Sequence, residues 1–125
     1  MNYLIVFLGA GIGGALRHGV NNASARLLGI EFPWGTLAVN ILGSLAMGLL
    51  AGYFAFKGEA TQAWRLFFTT GILGGFTTFS AFSLDTALLY ERGAHASMIL
   101  YIAGSVVLSI VAVFVGLALM RSNLG

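Results

Sequence analysis

Long apolar runs separated by short polar clusters organise this chain. Three of them, Gly35 to Phe56, Leu66 to Leu84 and Met98 to Met120, contain no Asp, Glu, Lys or Arg. Each approaches the ~20 residues that cross a bilayer core. A further run begins at Tyr3 and stays uncharged to Leu16, and helix-compatible sequence continues through Arg17 and His18 to about Arg26. The pattern predicts an all-α integral membrane protein, a single transmembrane domain over 1–125 with spans near 3–26, 35–56, 66–90 and 98–120. Trp34, Trp64 and Tyr90 fall at span ends, where amphipathic rings settle at the headgroup level. The connections Ile30 to Pro33, Lys57 to Ala63 and Glu91 to Ala96 are too short for a second domain, and neither an internal repeat nor a low-complexity segment interrupts the pattern.

The third run departs from a plain membrane helix at GGFTTFSAF, Gly74 to Phe82. Glycine costs ~1 kcal/mol relative to alanine inside a helix, and Gly71, Gly74 and Gly75 are followed by the stiff β-branched pair Thr77 and Thr78. A helix broken near Gly74–Thr78 is expected, with freed carbonyls or amides available to an ion. A glycine-rich contact surface without unwinding is the alternative. The small-residue pairs Gly9/Gly13 and Gly48/Gly52 also predict closely approaching helices, within one subunit or between two.

Composition supports the membrane reading: 58% of the 125 residues are hydrophobic and only 8% are charged, too little polar surface to cover a soluble globule. Cysteine is absent, which excludes disulfides and thiolate metal sites. His18 and His95 join no nucleophile, so an enzyme is disfavoured, and a scattered net charge of +2 implies no nucleic acid. No basic residue precedes the first apolar run, so a cleaved signal peptide is not expected. With four spans the two ends share a side with Lys57 and Arg65, and Arg121 joins them; Arg17, Arg26 and Arg92 lie on the other. The balance of positive charge gives no preferred orientation. Either Arg17 lies inside the membrane and should not be counted, or the chain inserts both ways up and pairs antiparallel as a homodimer.

The candidate chemistry is neutral. Phe79 and Phe82 share a helix face, with Ser80 between them, and their ring edges are weakly electropositive. Asn40 and Ser44 are four apart on the second span, and Ser97, Tyr101, Ser105 and Ser109 form a stripe on the fourth. Such a lining suits an anion in transit, although a buried Asn can simply join helices and membrane serines often bond back to their own backbone.

These residues resemble a known family. GGFTTFSAF, WGTLAVNILGSLAMG at 34–48 and GIGGALRHG ending at Gly19 are similar to the small microbial fluoride channels of the Fluc family, across nearly the whole chain. The resemblance implies an antiparallel dimer of four-helix subunits in the bacterial inner membrane, with a broken third helix, two fluoride pores and one structural sodium ion at the interface. It implies that Asn40, Phe79, Ser80, Phe82, Tyr101, Ser105 and Ser109 line the fluoride path and that Arg17 and Thr36 form a vestibule. It also implies that the backbone carbonyls of Gly74 and Thr77 hold sodium. Ala81, Asp85 and His18 depart from the family pattern, which usually has Thr, Glu and an aromatic there.

Other classes fit less well. A proton-coupled exporter of this size needs a membrane-embedded carboxylate, yet the only acid near a span is Asp85, at the end of the third. A scaffold subunit would explain the glycines but not neutral donors converging with aromatic edges. The expected function is passive, fluoride-selective efflux from the cytoplasm.

Overall fold

The computed structural model describes residues 1–57 and 61–124; residues 58–60 of the expected Lys57 to Ala63 connection lie outside the described residues. Those described form helices and short turns with no strand, and four helical stretches are long and apolar enough to cross a membrane. Helix α1 (Asn2–Leu28) and α2 (Trp34–Lys57) are continuous, as is the last helix, α6 (His95–Leu124). The third span is assembled from pieces: α3 (Gln62–Arg65), a π-helical segment Leu66–Leu73, α4 (Gly74–Phe76) and α5 (Phe79–Glu91). The helices run a few residues past the uncharged stretches because polar ends remain helical once they reach the headgroup zone. Chain reversal between α1 and α2 uses Gly29, at φ 86°, where a side chain would be strained. At the same end of the bundle, the Arg92 guanidinium donates to the Glu31 carbonyl and ties the two turns together.

Two close contacts hold the bundle. Where α2 crosses α6, a Cβ added at Gly116 would lie 2.6 Å from the Leu45 carbonyl oxygen, and one added at Gly52 would lie 2.7 Å from Cβ of Met120. Gly48 presses on the Val113 carbonyl. Where α1 crosses the third span, a Cβ on Gly9 would meet Gly71 Cα at 2.9 Å, and one on Gly13 would meet the Phe76 amide nitrogen at 2.7 Å. Helices this close gain dispersion contact along their backbones, which is the main attraction available where lipid is as apolar as the side chains. Both sequence-level glycine pairs are therefore used inside one chain, and neither supports a contact between copies.

Little is fully buried. Among the described residues Val39, Leu73, Leu89, Tyr101 and Ala112 are the buried hydrophobic ones, while Phe7, Ile99 and Phe114 stand outward. An exterior of this kind fits hydrocarbon and not water.

The break lies two residues beyond the glycines. Thr77 (φ −85°, ψ 157°) and Thr78 (φ −154°, ψ 125°) are extended, whereas Gly74 is α-helical at φ −62° and ψ −37°. Threonine tolerates extended backbone better than helix, so the β-branched pair marks the break itself. Gly71 and Gly75 serve close approach instead: a Cβ on Gly75 would meet Ala10 Cα at 2.8 Å. Nothing in the sequence signals the π segment, in which the Gly74 amide reaches back five residues to the Thr69 carbonyl.

Candidate functional site

Asn40 satisfies the broken backbone. Its Oδ1 accepts from the Thr78 amide at 3.0 Å, and its Nδ2 donates to the Thr78 carbonyl at 3.1 Å. One side chain thus imitates a neighbouring strand, pairing both backbone polar groups of one residue, which would be costly to leave bare in hydrocarbon. The Thr78 hydroxyl then caps α5 by accepting from the Ala81 amide at 3.1 Å.

These substitutions free two carbonyls. The Thr78 amide would serve the Gly74 carbonyl in an unbroken helix, and the Ala81 amide would serve that of Thr77; both donors are diverted. The Thr77 side chain is occupied elsewhere. Its hydroxyl donates to the Leu73 carbonyl at 3.0 Å, and its methyl group fills the space left by the missing side chain of Gly43. Backbone oxygens, not hydroxyls, are what the break offers to a hard monovalent cation, and that donor set fits sodium.

Beside the break lies a groove of about 420 Å³ between α2, α5 and α6. Its polar wall carries Asn40, Ser44, Thr78, Ser105 and Ser109, and its apolar wall Met47, Val106, Ile110 and Val113. Phe79 and Phe82 stand at one side with ring centroids 5.6 Å apart. The oxygens of Ser105 and Ser109 are buried without any hydrogen-bond partner. Two adjacent orphaned hydroxyls are unusual, since buried polar groups are nearly always paired. The serines therefore do not bond back to their own helix, and both residues line the groove. Among the described residues, no ionised side chain lines this groove.

The remaining predicted residues separate into three groups. Tyr101 is fully buried at the head of the serine stripe and lies outside the groove lining. Its ring packs on Phe82 at 5.1 Å, and its hydroxyl donates to Asp85 at 3.1 Å. Asp85 in turn lines a separate pocket of about 80 Å³ with Glu31 and Arg92, near the turns at that end. Ser80 does not face the groove; it is exposed and pairs with the Thr78 hydroxyl at 3.2 Å. Thr36 is buried on α2, Arg17 is half-buried on α1, and neither touches the groove. Thr78 was not among the residues expected at the site, although a Thr immediately before the restarting helix is a readable cap signal.

Comparison with known proteins gives a consistent result. A family model described as CrcB-like protein, Camphor Resistance (CrcB), matches residues 4–117. A protein of Nitrobacter hamburgensis called fluoride-specific ion channel FluC 2 is 61% identical over 121 residues, covering 97% of this chain and 98% of its own. Fluoride-specific ion channel FluC of Methylobacterium nodulans is 64% identical over 121 residues, covering 97% of each chain. The Rhodopseudomonas palustris BisB5 protein of the same name is 61% identical over 122 residues, covering 98% of each.

Proposed function

The chain belongs to the CrcB-like family, and from that premise we propose that it is a fluoride-specific ion channel giving passive efflux. The observation that carries this reading is the pair of unpartnered hydroxyls on Ser105 and Ser109, two residues lining a groove that has no ionised side chain among the described residues. Fluoride is the halide that accepts hydrogen bonds most strongly, so neutral donors can replace part of its hydration. A lysine or arginine in the same place would hold the ion instead of passing it. The Phe79 and Phe82 ring edges add weak electropositive lining, and the membrane potential contributes ~2.3 kcal/mol per charge per 100 mV toward anion exit from a negative interior.

The working unit in this proposal is an antiparallel homodimer in the bacterial inner membrane. Two features support it. Phe79 is 78% exposed in the single chain although it flanks the groove, and Gly74 is exposed beside the break. A second copy over that face would cover both. The Gly74 and Thr77 carbonyls would hold sodium there, and the ion would supply a fixed positive charge that satisfies oxygens without helical donors.

The test is fluoride release from liposomes containing the purified protein, followed with a fluoride electrode under an outward gradient. Fluoride release with chloride retained is the expected result. Equal release of both ions, or of neither, overturns the reading.

A further inference from the structure

One polar surface serves neither the groove nor the helix packing: the outer flank of α1. Gly35 contacts Asn21, so Asn21 faces α2, and Asn22 lies about 100° further round the helix. His18, Asn22 and Arg26 are all exposed and follow one another at four-residue intervals, which places them on one face. The Asn22 amide nitrogen and the His18 ring are 3.3 Å apart. Upstream on the same helix Leu4, Leu8 and Ile12 are exposed, so the outward surface is apolar first and polar afterwards. No residue of α1 lines the groove.

Helix length fixes where the change falls. Helix α1 has 27 residues, about 40 Å at 1.5 Å per residue, against a hydrocarbon core of about 30 Å. With Tyr3 at one core boundary, the other falls close to Asn22. His18 then sits about one turn inside the boundary, and Arg26 about one turn outside it, among the headgroups. A stripe of donors crossing that boundary, ending in a guanidinium, matches a phospholipid from its ester carbonyls to its phosphate.

We propose that His18, Asn22 and Arg26 form a binding site for the headgroup of an anionic phospholipid. Arg26 engages the phosphate oxygens, and the Asn22 and His18 pair meets the glycerol ester region. The proposal rests on the reading above in one respect: a second copy seated on the groove face leaves this flank to lipid.

Native mass spectrometry of the delipidated full chain, titrated with phosphatidylglycerol or phosphatidylcholine, tests it. Phosphatidylglycerol should be retained preferentially. Arg26→Gln should lower that retention about fivefold, since a basic residue at an anionic surface is worth ~1 kcal/mol; Arg121→Gln should leave it unchanged. Equal retention of the two lipids, indifference to Arg26→Gln, or displacement by inorganic phosphate would overturn the site. Because the chain has no cysteine, Asn22→Cys adds a decisive outcome. A disulfide between copies through that position would place the flank in an interface, against the proposal. Lipid counting requires no ion flux, so failure here is separable from failure of the channel reading.

Discussion

Phe79 and Phe82 look equivalent in sequence and differ in surroundings. Phe82 packs on Tyr101, whereas Phe79 is largely exposed in one chain. Phe82→Ile, which loses its pairs with both Tyr101 and Phe79, should therefore destabilise the folded chain by about 1 kcal/mol or more, and Phe79→Ile, which loses only its pair with Phe82, should cost less. Both should reduce fluoride flux in liposomes, and normal flux in both variants would reassign the rings to packing. At Asn40 the expected loss is larger. Asn40→Ala strands the Thr78 amide and carbonyl, and each buried unpaired group costs about 1–3 kcal/mol. Thermal unfolding in detergent should register it, with faster exchange of the Thr78 amide than of amides in α6. The sequence singled out Asn40 but not this role, because a bidentate contact to a backbone 38 residues away leaves no local pattern.

At the level of elements, hydropathy made the four spans legible, since length and apolarity are what a bilayer demands. The composite third span was legible only in part. Glycine and threonine announced an irregularity, but which of them breaks the helix depends on neighbours: Gly71 and Gly75 are held helical against α1, and Thr77 and Thr78 are released because Asn40 supplies their backbone with a partner. The same reasoning ranks glycine substitutions. Gly13→Ala drives a methyl group into the Ile72 carbonyl and should separate α1 from the third span, with a large fall in thermal stability and in assembled protein. Gly11 and Gly14 have nothing within 4 Å of an added Cβ. Gly11→Ala should be neutral or stabilising by up to about 1 kcal/mol, and an equal loss at Gly11 and Gly13 would refute the packing account.

At the scale of the whole molecule, the open groove leaves room for a second copy. A Cβ on Gly74 meets only the Thr69 carbonyl oxygen, at an ordinary 3.7 Å, so Gly74→Val should be harmless to an isolated chain. If a second copy covers that face, the substitution should leave folded monomers, remove dimers in light-scattering measurements and abolish flux. Survival of an active dimer would place the interface elsewhere. Sodium belongs to the same test: replacing it with a large organic cation should weaken the dimer or stop flux, while an imposed sodium gradient should not drive fluoride. Thr77→Ala should be mild because the carbonyl remains. Opposed orientation has its own measurement, in which C-terminal tags become reachable from both sides of the membrane; labelling from one side only would rule it out.

The contact between Asn40 and Thr78 also bears on biogenesis. Ribosomal synthesis runs from the N-terminus, so α2 is delivered to the bilayer before the third span leaves the exit tunnel. The side chain that neutralises the exposed peptide is already waiting when that peptide arrives, and the break need not cross hydrocarbon alone, where bare backbone costs several kcal/mol. A circular permutant that begins at the third span reverses that order. It should yield less inserted protein than a permutant opened at the turn before α6, although both encode the same final contacts.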